Sequence, residues 1–119
     1  MPTPETWLAT AAIALLGATL VGGALTAYAR LADKNTPIDI GLMHGGAGIV
    51  STSLLLFSAG SETGLNMKPA LGILALTITL GIALYFLIRR KGVLPKSVVL
   101  LHGTFAIGAL CTLLFGLPI

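Results

Sequence analysis

Apolar residues along the chain gather into four long runs separated by short polar connections. The runs are Trp7 to Ala29, Ile38 to Ala59, Pro69 to Ile88 and Val98 to Leu117. Each approaches the roughly 20 residues with which an α-helix crosses a hydrocarbon layer about 30 Å thick. The pattern predicts an all-α membrane protein of four transmembrane helices. The connections leave no length for a soluble domain, so residues 1–119 read as a single transmembrane domain. Any binding must then occur inside the bundle or at its faces.

The four runs are not independent. At an offset of 58 residues (102 − 44), Pro37 meets Pro95 and His44-Gly45 meets His102-Gly103, and these are the only two histidines in the chain. At the same offset Ala12 meets Ala70, Leu16 meets Leu74, Thr19 meets Thr77, Gly23 meets Gly81, Ile49 meets Ile107, and Leu55-Leu56-Phe57 meets Leu113-Leu114-Phe115. Self-similarity at a fixed period is the signature of repeated supersecondary units. The chain therefore reads as two helical hairpins, residues 7–60 and 65–118. A two-helix unit returns to its starting side, so both copies insert in the same orientation, related by an axis along the membrane normal. His44 and His102 are predicted at one depth. Each proline suits the first turn of a helix, where a missing N–H costs nothing. Seven residues of helical rise then put each imidazole roughly 10 Å from that end.

Composition sharpens the assignment. The chain is 55% hydrophobic and 9% charged, with a mean hydropathy of +0.99, far from the composition of a soluble domain. The region before Trp7 carries Glu5 and neither Lys nor Arg, which argues against a cleaved signal peptide. The net charge of +3 matters less than its placement. Arg30 and Lys34 lie in the first connection, Arg89, Arg90, Lys91 and Lys96 in the third, and the second holds Lys68 against Glu62. By the positive-inside rule the first and third connections face the cytoplasm and both termini lie outside. The predicted location is a bacterial inner membrane. Nothing points to nucleic acid. Cys111 alone allows no internal disulfide.

An ionisable side chain at membrane depth is expensive and marks function by default. The positions sharing a face with the histidines are Gly41, Ala47, Gly48 and Ser51 on one helix, and Val99, Phe105, Ala106 and Ala109 on the other. Neither face offers a carboxylate, thiol or second histidine. A zinc site wants three or four protein ligands, and here there are two, so zinc or copper would need ligands from another chain. Two imidazoles on facing helices suit a group that brings its own equatorial ligands and needs two axial ones. Gly23, Gly48, Gly81 and Ala106 thin the helices at that level. Gly23 and Gly81 admit either close helix contact or a flat ligand.

On the two His-Gly motifs and the four-helix architecture, the chain resembles membrane-anchored b-type cytochromes, in which paired helical histidines clamp haem in a small bundle. The resemblance implies one haem b held by His44 and His102, with Gly23, Gly48, Gly81 and Ala106 around it. Its propionates would be paired by cations among Arg30, Arg89, Arg90, Lys96, Lys34 and Lys91. The chain departs from two-haem members, which place ligands at two depths. One centre near one face leaves about 20 Å of hydrocarbon without a relay, so the chain alone does not conduct electrons across the membrane. The implied role is an electron-transfer or accessory subunit rather than a stand-alone enzyme, with partner subunits and a quinone as candidate partners.

Several readings stay open from sequence. The alternative to haem is a structural role for the histidines, bonded to a carbonyl or to Ser51, Thr52, Ser53, Thr77 or Thr79 across the interface. The chain then becomes a non-redox subunit without cofactor. Proton conduction would want carboxylates, and Asp39 is the candidate near His44. A small transporter would want a polar lane, which the interior lacks. Met43 points away from the His44 face, and Trp7, Tyr28 and Tyr85 fall where aromatic rings anchor helices at interfaces.

Overall fold

The computed structural model describes residues 4–32, 38–58, 67–91 and 95–115, all helical apart from Ala32 and Pro95. The helices are α1 (Pro4–Leu31), α2 (Ile38–Ser58), α3 (Met67–Lys91) and α4 (Lys96–Phe115). All four are long and apolar enough to cross a membrane. α1, α3 and α4 extend past the apolar runs at charged ends: α3 starts two residues before Pro69 and carries on through Arg89, Arg90 and Lys91. Charge ends an apolar run, but Lys and Arg are good helix formers, so backbone hydrogen bonding continues through them.

Pro95 stands just outside α4 rather than in its first turn. Its carbonyl accepts hydrogen bonds from the amides of Val98 and Val99, at 3.0 and 3.1 Å, which is the role of an N-cap residue. Pro37, Lys34, Glu62 and the glycines of the second connection, Gly60 and Gly64, lie outside the described residues.

The helices run in chain order around a ring. α1 packs most closely on α2 and α3 on α4, the α2–α3 and α1–α4 contacts are looser, and the diagonal pairs have no Cα atoms within 8 Å among the described residues. One tight core joins the first half of α1, the second half of α2, the first half of α3 and the second half of α4: Ala9, Ala12, Leu16, Leu55, Met67, Ala70, Leu74, Ala109 and Leu113. Such a cluster requires neighbouring helices to run antiparallel. Burial recurs at the 58-residue offset. Ala12 and Ala70, Leu16 and Leu74, Ser51 and Ala109, and Leu55 and Leu113 are buried pair by pair.

The outside is apolar as well. Val21, Leu25, Leu42, Ile49, Val50, Leu56, Leu76, Ile82, Leu100 and Ile107 are all exposed. Helices hydrophobic all round belong in a large core or a lipid phase, and in a chain of 119 residues this exterior is consistent with a membrane protein. The packed core occupies one end of the bundle; the histidines lie toward the other, where the helices enclose space.

Candidate functional site

His44 and His102 stand six residues into α2 and α4, on diagonally opposite helices. Their rings meet across the bundle, with centroids 6.1 Å apart and planes at 76°. The two histidines of the matched motifs are thus brought together.

Each ring is held by the other helix of its own hairpin. His44 Nδ1 donates to the Thr19 carbonyl at 3.1 Å, and His102 Nδ1 donates to the Thr77 carbonyl at 2.8 Å. A carbonyl only accepts, so Nδ1 carries the proton in both rings, and in the neutral ring Nε2 keeps its lone pair. Glycine one turn further along each helix leaves these carbonyls within reach. A helical side chain lies over the turn preceding its own Cα, and at Gly23 and Gly81 there is none. A Cβ built at Gly23 would sit 2.6 Å from His44 Cε1, and one at Gly81 would sit 3.0 Å from His102 Cε1. The imidazoles therefore fill the spaces the two glycines leave, where the sequence also admitted a flat ligand.

The hydroxyls complete the pattern. Thr19 Oγ1 donates to the Leu15 carbonyl at 2.7 Å and Thr77 Oγ1 to the Ile73 carbonyl at 2.9 Å. Thr and Gly four apart, followed by His 21 residues after the Gly, thus form the same unit in both hairpins: Thr19, Gly23, His44 and Thr77, Gly81, His102. Both threonines stand out in the sequence as matched positions. Their role does not, because the partner atom is a main-chain oxygen that no side-chain pattern reveals.

Two cavities flank the histidine pair. One, of about 390 Å³, lies between α2 and α3 and reaches Thr19, Gly48, Thr52, Leu74 and Ile78. The other, of about 580 Å³, lies between α1 and α4 and reaches Gly23, Arg30, Gly41, Leu84, Ile88 and Gly103. Both are walled by Leu20, His44, Gly81, Tyr85, His102 and Ala106. They open along the seam between the α1–α2 and α3–α4 hairpins, with an imidazole from each hairpin projecting into it. Both volumes fall within the roughly 300–1,000 Å³ of small-molecule sites. Tyr85, expected at an interface, faces this seam.

The candidate cations separate. Arg30 is half-buried and lines the larger cavity. Arg89 and Arg90 are exposed and lie over aromatic rings of their own helix, Arg89 at 5.9 Å from the Tyr85 centroid and Arg90 at 5.4 Å from that of Phe86. Lys96 is exposed at the start of α4. Gly48 lines the smaller cavity, where an added Cβ would meet only Thr19 Cγ2, at an ordinary 3.7 Å.

Among the described residues no three His, Cys, Asp or Glu side chains gather into a metal-binding cluster. Cys111 lies three residues beyond Gly108, toward the packed end of α4. The arrangement offers two neighbouring imidazoles, an apolar seam and one cation at its edge. Comparison with protein-family models, with curated proteins and with solved structures gave no match.

Proposed function

We propose that the chain is an integral membrane b-type cytochrome or cytochrome-like subunit, built from two parallel-oriented hairpin repeats, that holds one haem b between α2 and α4. The observation carrying this reading is the histidine pair. His44 and His102 would hold the metal: their ring centroids are 6.1 Å apart, a separation that two metal–imidazole bonds of about 2 Å each, extended to the ring centres, would span. A metal-bound histidine characteristically donates its other ring N–H to a carbonyl or carboxylate, which fixes tautomer and orientation. The Thr19 and Thr77 carbonyls do that here. With two protein ligands in reach, the metal must bring the rest of its coordination, as a porphyrin does.

When bound, haem b supplies a one-electron couple. His44 and His102 would hold it, with the Thr19 and Thr77 carbonyls orienting their rings, the seam would offer apolar walls, and Arg30 would stand at its edge. By the positive-inside rule, the cationic ends of the helices favour the cytoplasmic half of a bacterial inner membrane for this site. Electrons are exchanged there with a partner subunit or a quinol.

A reduced-minus-oxidised spectrum of protein purified in detergent from haem-replete cells tests this directly. A sharp α-band is expected, and His44→Ala and His102→Ala should each abolish it. Colourless wild-type protein overturns the reading and leaves a subunit that stabilises a larger complex without cofactor.

A further inference from the structure

The two hairpins match where the histidines sit and part company one or two turns nearer the cationic end. At that end of α1 stand Thr26, Ala27 and Arg30, and at the 58-residue offset α3 carries Leu84, Tyr85 and Ile88. All six line the larger cavity. One wall is polar, cationic and small, and the wall facing it is bulky and apolar. Arg30 is also distinct from its neighbours in kind. A cation in a last helical turn is ordinarily a solvated complement to the helix dipole, as exposed Arg89 and Arg90 are. Arg30 is half-buried and lines the cavity.

A site with two-fold pseudo-symmetry accepts a flat ligand in two orientations of equal energy. Unlike walls remove that degeneracy only for a ligand whose own edges are unlike. Resting on the haem reading above, we propose that Arg30 and Thr26 set the ligand one way round. The edge bearing the porphyrin carboxylates lies against α1, and the apolar edge lies against Leu84, Tyr85 and Ile88 of α3. Ala27, where α3 has Tyr85, leaves the room that a carboxylate side arm takes. Arg30 is then a positioning residue, separate from the ligands that hold the metal.

Proton NMR of the oxidised, haem-loaded protein in detergent tests this, because each orientation gives its own set of shifted haem methyl signals. Wild type should show one dominant set. Arg30→Ile, which makes the two walls alike at that position, should raise the second set to a clearly visible share, with Thr26, Ala27 and Tyr85 keeping the first in excess, and Arg30→Ile combined with Ile88→Arg should raise it further. Haem dimethyl ester provides a second measurement that needs only the gentler Arg30→Gln. Wild type should bind it about tenfold more weakly than haem, the size of one charge-assisted hydrogen bond, and Arg30→Gln should bind both about equally. Two equal sets in wild type, or one unchanged set in Arg30→Ile, overturns the orientation while leaving the cytochrome reading standing. Wild-type protein without an α-band ends both.

Discussion

Gly23 and His44 are fitted to one another: the ring carbon Cε1 of His44 lies 2.6 Å from where a Cβ on residue 23 would be. The same missing side chain uncovers the Thr19 carbonyl that takes the Nδ1 proton at 3.1 Å. One absence thus provides both the seat of the imidazole and its hydrogen-bond partner. The relation recurs between Gly81 and His102 with a looser fit, 3.0 Å.

That difference orders three substitutions. Gly23→Ala forces the His44 ring off its seat, and overpacking of this kind typically costs about 1–3 kcal/mol. Gly81→Ala needs a shift of a few tenths of an ångström and should lie at the lower end of that range. Gly48→Ala makes an ordinary contact at 3.7 Å and should be close to neutral. Unfolding in mixed micelles gives the stabilities, and the α-band gives haem retention. Equal losses in Gly23→Ala and Gly48→Ala would contradict the seating.

The tautomer is a second consequence. With a carbonyl as acceptor, both rings must carry hydrogen on Nδ1, whether or not anything is bound at Nε2. Long-range proton–nitrogen correlation spectra of histidine-labelled, haem-free protein should show Nδ1 protonated in both residues. An Nε2–H form at either position would remove the orienting role of Thr19 or Thr77.

Much of this was legible in the sequence, and the limits are physical. Four helices, their order and the meeting of His44 and His102 were legible from apolar runs and a 58-residue offset that side chains display directly. Helix ends were less legible, since Lys68, Arg89 and Lys91 end an apolar run but not a helix. A ring-to-carbonyl bond was among the expected roles of the histidines, but which carbonyl was out of reach, because Thr19 and Thr77 contribute main-chain atoms common to every residue type. Arg30 could not be told from Arg89 by its position near a helix end. What separates them is which way each faces once the hairpins pack.

The packed end of the bundle gives a stability prediction independent of any cofactor. Leu55 and Leu113 are fully buried counterparts, while their neighbours Leu56 and Leu114 are exposed. Leu55→Ala and Leu113→Ala should each cost about 2–5 kcal/mol, as buried leucines do, and Leu56→Ala and Leu114→Ala far less. Ser51→Ala should be nearly neutral. Its counterpart Ala109 is buried in the same way, and the Ser51 hydroxyl only bonds the Gly48 carbonyl of its own helix, at 3.0 Å. Unfolding by a denaturing detergent, followed by circular dichroism, measures all five. A costly Ser51→Ala would show that the two hairpins are not equivalent at this level.

Orientation in the membrane can be read from single cysteines. Arg89 and Lys96 mark one end of the bundle and Lys68 the other, and all three are exposed. If the positive-inside rule governs, the first end is cytoplasmic. Cys111, whose counterpart is Ser53, is first replaced by serine. Lys68→Cys and Arg89→Cys are then introduced separately and treated in intact cells with a membrane-impermeant maleimide. Lys68→Cys should label at once and Arg89→Cys only after permeabilisation. The reverse pattern would put the histidines on the outer half of the bilayer. Labelling of both from outside would show that α3 does not cross the membrane at all.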